Sequence, residues 1–133
     1  MGYIDVIAAA IGAFVFGALY YGALSRQWIE ASGVTLDPDT GRPSNSSNPI
    51  PYLVSFVMIL LVAGFMRHFF VVGNVETLWN GTLWGLGIGL FFIAPWITLN
   101  CGYSGRPWRL AAIDSGYAIA GGGIIGLILR LLA

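Results

Sequence analysis

Long apolar runs separated by short polar connections set the pattern of this chain. Four of them, residues 4–24, 50–72, 78–98 and 110–132, approach the ~20 residues that carry a helix across ~30 Å of hydrocarbon. The pattern predicts an all-α integral membrane protein, a bundle of four transmembrane helices with little outside it. If all four cross, the polar connection 25–48 and the turn at 101–109 share one membrane face. Both termini and the turn at 73–77 share the other. The long connection divides at Gly33: Arg26 to Ala31 can extend the first helix, and a glycine is the natural left-handed stop. Beyond it, Asp37-Pro38-Asp39-Thr40-Gly41 looks like the opening of a calcium loop. Asn48 stands at the twelfth position where a bidentate glutamate belongs, so turn chemistry explains the segment better. Asn45 to Pro49 ends the connection, and Ser47 or Asn48 can cap a helix whose first turn tolerates Pro49 and Pro51.

Composition strengthens this picture. Hydrophobic residues make up 57% of the chain and charged residues 9%, with no lysine, against ~25% charged in a soluble domain. One domain, 1–133, leaves no room for a separate soluble unit. The formal net charge is zero and the six arginines are scattered, which gives no reason to expect nucleic acid or polybasic lipid binding. Cys101 is alone and cannot form an internal disulfide. The residues before the first apolar run carry no positive charge, so that run reads as a retained span rather than a cleaved signal. Arg26, Arg42, Arg106 and Arg109 fall on the first face, Arg67 and Arg130 on the second. That bias predicts the two longer connections inside and both termini periplasmic.

Helices in lipid associate by close van der Waals contact, which needs small residues in line on one face. Gly81, Gly85 and Gly89 form such a line, as do Ala118, Gly122 and Gly126, and Ala9, Ala13 and Gly17. These stripes serve either packing within the bundle or contact with a second membrane protein. Gly85-Leu86-Gly87-Ile88-Gly89 and Gly121-Gly122-Gly123 look faintly like nucleotide loops, but both lie inside spans and follow no strand. Pro95 removes a backbone donor and should kink the third span near Phe91. Residues 20–28 and 100–108 share Gly, Arg and Trp at Gly22/Gly102, Arg26/Arg106 and Trp28/Trp108. The echo suggests two parallel helical hairpins.

An ionisable group at membrane depth costs about 2.5–3.5 kcal/mol on insertion scales and therefore needs a partner, water or a function. Asp114 is the foremost case. It lies at intervals of four from Ala118, Gly122 and Gly126, so it should point into the bundle. It either ties the fourth helix to Arg106, Asn100 or Tyr21, or forms a binding or proton-handling site. Tyr21, Tyr52, Asn100, Arg106 and Tyr117 stand near its depth and make either a small polar pocket or an aromatic belt. On the opposite face Arg67 and His68 close the second helix, near Asp5, Glu76 and Arg130 from other helix ends. One histidine excludes a two-histidine metal or haem site within the chain and leaves only a single axial ligand open. No nucleophile has a histidine at interpretable spacing and no carboxylates pair, so neither catalysis nor a cofactor is expected.

The ordered set Gly17–Gly22 (GALYYG), Trp28, Tyr52-Leu53, Asn100, Gly105-Arg106-Pro107 and Asp114-Ser115-Gly116-Tyr117 resembles a family of small bacterial membrane proteins catalogued as domain of unknown function 1761. The resemblance spans the whole chain. It implies a four-helix inner-membrane protein, commonly with asparagine where this chain has Asp114, and it implies no activity. The expected role is a non-catalytic subunit or scaffold that packs through its glycine faces with itself or a larger complex in the bilayer. The alternative is an oligomeric carrier of a small solute or ion, with its site near Asp114.

Overall fold

A computed structural model describes residues 3–44 and 47–133. Five helices follow one another: α1 (Ile4–Ala23), α2 (Ser25–Ser32), α3 (Ile50–Val72), α4 (Leu78–Tyr103) and α5 (Trp108–Leu131). Four of these, all but α2, are long and apolar enough to cross a membrane. Their outward sides expose Leu19, Phe65, Trp79, Phe91 and Phe92, each 68–73% accessible. Water would penalise such a surface and hydrocarbon does not.

Local chemistry fixes the helix ends. Gly33 closes α2 in the left-handed conformation at φ 66°, as its position in the sequence predicts. Asp37 folds the following segment into turns by accepting the Asp39 N–H at 2.9 Å, and Leu36 bridges to Pro43. Asn48 accepts the Ile50 N–H at 3.1 Å; Asn45 and Ser46 lie outside the described residues. Asn74, at φ 55°, ends α3 in a Schellman motif. Val75 N–H reaches the Phe70 carbonyl at 2.9 Å, and the Val75 and Phe70 side chains meet in the core. Thr77 then caps α4 by accepting the Asn80 N–H at 3.0 Å. Gly105 (φ 71°) makes a second Schellman motif at the end of α4, where Arg106 N–H bonds the Cys101 carbonyl at 2.9 Å.

The third span runs to Tyr103, five residues beyond the expected end at 98, and the fourth begins at Trp108 rather than 110. Pro95 produces a π-helical turn over Gly89–Ile93, in which the Ala94 N–H bonds the Gly89 carbonyl five residues back. The wider turn absorbs the missing proline donor, and the helix continues.

α5 is the centre of the bundle. Of its most apolar stretch 39% is buried, against 22% for α1 and 17% for each of α3 and α4. α1 and α4 flank it, and α3 packs mainly on α1. The glycine stripes make the α4–α5 contact. A β-carbon on Gly85 would strike the Gly122 carbonyl oxygen, one on Gly89 the Ala118 carbonyl, and one on Gly126 the Gly81 carbonyl. Backbone therefore lies against backbone along the middle of this pair. Gly17 makes room on α1 for a side chain instead, since a β-carbon there would lie 2.8–3.0 Å from the Tyr117 ring and hydroxyl. α1 with α3, and α4 with α5, form the two hairpins that the internal echo suggests. Their equivalence is limited, because α1 meets α5 along its length whereas α3 and α4 have Phe69 and Trp84 as a ring contact at 5.4 Å.

Candidate functional site: the Asp114 end of the bundle

Tyr20 and Tyr21, adjacent in the last turn of α1, both reach α5. The Tyr20 hydroxyl donates to the Ile113 carbonyl at 2.7 Å, and the Tyr21 hydroxyl donates to Asp114 Oδ1 at 2.7 Å. A third tyrosine answers from α5, its Tyr117 hydroxyl donating to the Ala13 carbonyl at 2.8 Å. Glycines make the room: Gly17 lies under the Tyr117 ring, and a β-carbon on Gly116 would strike the Tyr20 hydroxyl. The rings of Tyr21 and Tyr117 are 5.3 Å apart, and those of Tyr20 and Tyr21 5.2 Å. Such edge-on and tilted contacts add to the area they bury.

α2 completes the enclosure. Ala31 is buried with Cys101, Leu110, Ala111 and Ile113, and Trp28 packs against the same group. The Trp28 ring lies 6.3 Å from that of Tyr21. Its side chain is a second hydrogen-bonding neighbour of Asp114, and the Arg106 guanidinium acts on the same carboxylate through space. Glu30 holds the outside of α2 with Arg26 at 3.6 Å and Arg109 at 3.7 Å, both exposed pairs that contribute little.

On the other side of Asp114 an open cleft is lined by Ile97, Asn100, Cys101, Tyr103, Ser104, Arg106 and Asp114. Of the residues expected near this depth, Tyr21, Tyr117, Asn100, Arg106 and Asp114 therefore share one end of the bundle. Tyr52 does not line the cleft; it is 52% exposed at the start of α3. Asp114 points into the bundle onto Tyr21, one of its expected partners, but does not share the face of the glycine stripe. Steps of four residues drift by ~40° each on a helix, so Gly122 and Gly126 meet α4 while Asp114 has turned toward α1.

The charged residues at the opposite end do not form a single cluster. Asp5, only 8% exposed, pairs with Arg67 at 2.9 Å across α1 and α3, and the Arg67 guanidinium lies over the Tyr3 ring. Arg130 instead donates to the Val75 carbonyl at 2.8 Å and lies over Phe70. His68 and Glu76 are exposed. The helix order explains the division, because α5 carries Arg130 toward the α3–α4 turn and away from Asp5. Among the described residues no three histidine, cysteine, aspartate or glutamate side chains converge as a metal site would require.

Two roles are not carried by sequence spacing. Trp28 stands out in the sequence through the internal echo and the family resemblance, but its place over Asp114 follows from the helix stopped at Gly33, which brings it back there. Gly116 lies on none of the recognised stripes, and its work is to admit the Tyr20 hydroxyl.

Four apolar helices closed around a polar site at one end define a small multi-pass membrane protein. The chain belongs to the family of proteins of unknown function designated DUF1761, whose model matches residues 4–130. No curated protein and no solved structure matches it.

Proposed function

We propose that the chain is a non-catalytic membrane protein that acts by association, as a subunit or scaffold with itself or a larger complex. Its place in this reading is the bacterial inner membrane, with both termini periplasmic as the arginine bias indicates. The observation that carries the reading is the backbone contact of Gly81, Gly85 and Gly89 with Gly126, Gly122 and Ala118. It closes the seam between α4 and α5, and among the described residues the core that α1, α3 and α5 share between the two polar ends is apolar, with Ala9, Ala13, Ala63, Met66 and Ile125 buried together. A single-chain carrier needs a polar route or a site near mid-membrane. The partly buried charges support the same reading, since Asp114 is held by Tyr21 and Asp5 by Arg67. Because the glycine stripes are used within the chain, association falls to the outward faces of α3 and α4, a revision of the expectation that the stripes themselves dock. Reconstituted into vesicles, the purified chain should support no proton- or cation-driven uptake. Uptake that Asp114→Asn abolishes would replace this reading with the oligomeric carrier.

A further inference from the structure

Asp114 and Arg106 line one cleft within electrostatic reach of each other but form no direct ion pair. Among the described residues the ion pairs are Arg26–Glu30, Arg109–Glu30 and Arg67–Asp5, so Arg106 is in none. Asp114 takes the Tyr21 hydroxyl and has the Trp28 side chain as a second hydrogen-bonding neighbour, and a carboxylate has about four lone-pair sites in all. Arg106 is exposed, with its backbone fixed by the Schellman motif of Gly105. Its five N–H donors project beside Asn100 and Ser104.

A ligand of one charge sign meets repulsion here. An anion would face Asp114, and a cation would face Arg106. A ligand carrying both signs a few ångströms apart complements both groups. The cleft also opens at the end of α4, beside exposed Trp96, Leu99 and Tyr103 (65, 43 and 89% accessible), where a bilayer places its headgroups and where aromatic residues favour the interface.

We propose that this cleft binds a small zwitterionic group, with its ammonium on Asp114 and its anionic oxygens on Arg106, supplied by the headgroup of an aminophospholipid. The ammonium donates to a lone pair of Asp114 that Tyr21 and Trp28 leave free, and Arg106 takes the phosphate through paired N–H donors. The acyl chains then run down the apolar outer face of α4. The site is independent of the association reading, because a bound headgroup requires neither transport nor a partner protein.

The test uses the full chain in mild detergent after lipid depletion, titrated with phosphatidylethanolamine, phosphatidylcholine, phosphatidylglycerol or free phosphoethanolamine while its melting temperature is followed. Phosphatidylethanolamine should raise the melting temperature by several degrees. Phosphatidylcholine lacks ammonium N–H donors and phosphatidylglycerol lacks the ammonium, so each should bind about tenfold more weakly or worse. Arg106→Gln, at an exposed position, should melt like the parent without lipid and lose the preference; Asp114→Asn should lose it as well. Equal effects of free phosphoethanolamine and the lipid would keep the zwitterion site and reject the lipid as its source. Phosphatidylglycerol binding as well as phosphatidylethanolamine, no shift with either zwitterion, or an unchanged preference in Arg106→Gln would overturn the proposal.

Discussion

Gly85 and Gly87 stand two residues apart on α4, and the structure assigns opposite consequences to the same added methyl group. A β-carbon on Gly85 would strike the Gly122 carbonyl oxygen and lie 2.8 Å from the Gly122 carbonyl carbon and 3.2 Å from the Gly123 α-carbon. All three atoms are backbone, so no side-chain rotation relieves the overlap. The helices must part, on the order of 1 Å to restore ordinary contact distances, and that loosens the neighbouring contacts at Gly81 and Gly89 as well. Overpacking of this kind costs about 1–3 kcal/mol, and the rigidity of both partners places Gly85→Ala toward the upper end. For a chain of this size that is a fall of roughly 5–15 °C in melting temperature. Nothing lies within 4 Å of the corresponding position on Gly87. Gly87→Ala removes a flexible helix-interior glycine and should be neutral or stabilising by up to about 1 kcal/mol. Thermal melts of both variants in one detergent provide the comparison. A Gly85→Ala protein that melts with the parent, or a Gly87→Ala protein that falls equally, would refute the α4–α5 contact.

Asp114→Asn should fold with nearly the parental melting temperature, because its amide oxygen still accepts the Tyr21 hydroxyl. Asp114→Leu should lose about 1–3 kcal/mol by stranding that donor, and melting curves of the two variants side by side check the order. At the other end, Asp5→Ala should lose about 3–5 kcal/mol by leaving Arg67 without its carboxylate. An Asp5→Leu, Arg67→Leu double variant should recover much of that loss, and a double-mutant cycle in denaturant measures the recovery.

The spans were legible because a bilayer allows few solutions: a run of ~20 apolar residues is a helix or is not in the membrane. Their ends were less so. Sequence hydropathy falls at Thr98, Asn100 and Gly102, yet α4 continues to Tyr103, where Cys101 is buried against Ala31 of α2 and Leu110, Ala111 and Ile113 of α5. Pro95 was recognisable as a disturbance, but whether a proline kinks a helix or widens it into a π turn depends on how α5 packs beside it. The glycine stripes could be seen from spacing alone, while their partner could not, since a stripe looks the same facing its own chain or another. Asp114 stood out as a charge at membrane depth, and Tyr21 was among its expected partners. Trp28 and Gly116 act through a helix reversal and a ring position that one-dimensional spacing does not contain.

In the proposed reading the glycine stripes hold the chain together and the outward faces of α3 and α4 meet a partner. The decisive measurement is the native mass and composition of the particle carrying this chain, released from its own membrane in mild detergent, for the parent and for Gly85→Ala. The parent particle should contain a second copy or a stoichiometric partner, and Gly85→Ala should be less stable while its folded fraction keeps the same composition. A parent that is a single chain, or a Gly85→Ala protein that melts like the parent but has lost its companion, would contradict that reading.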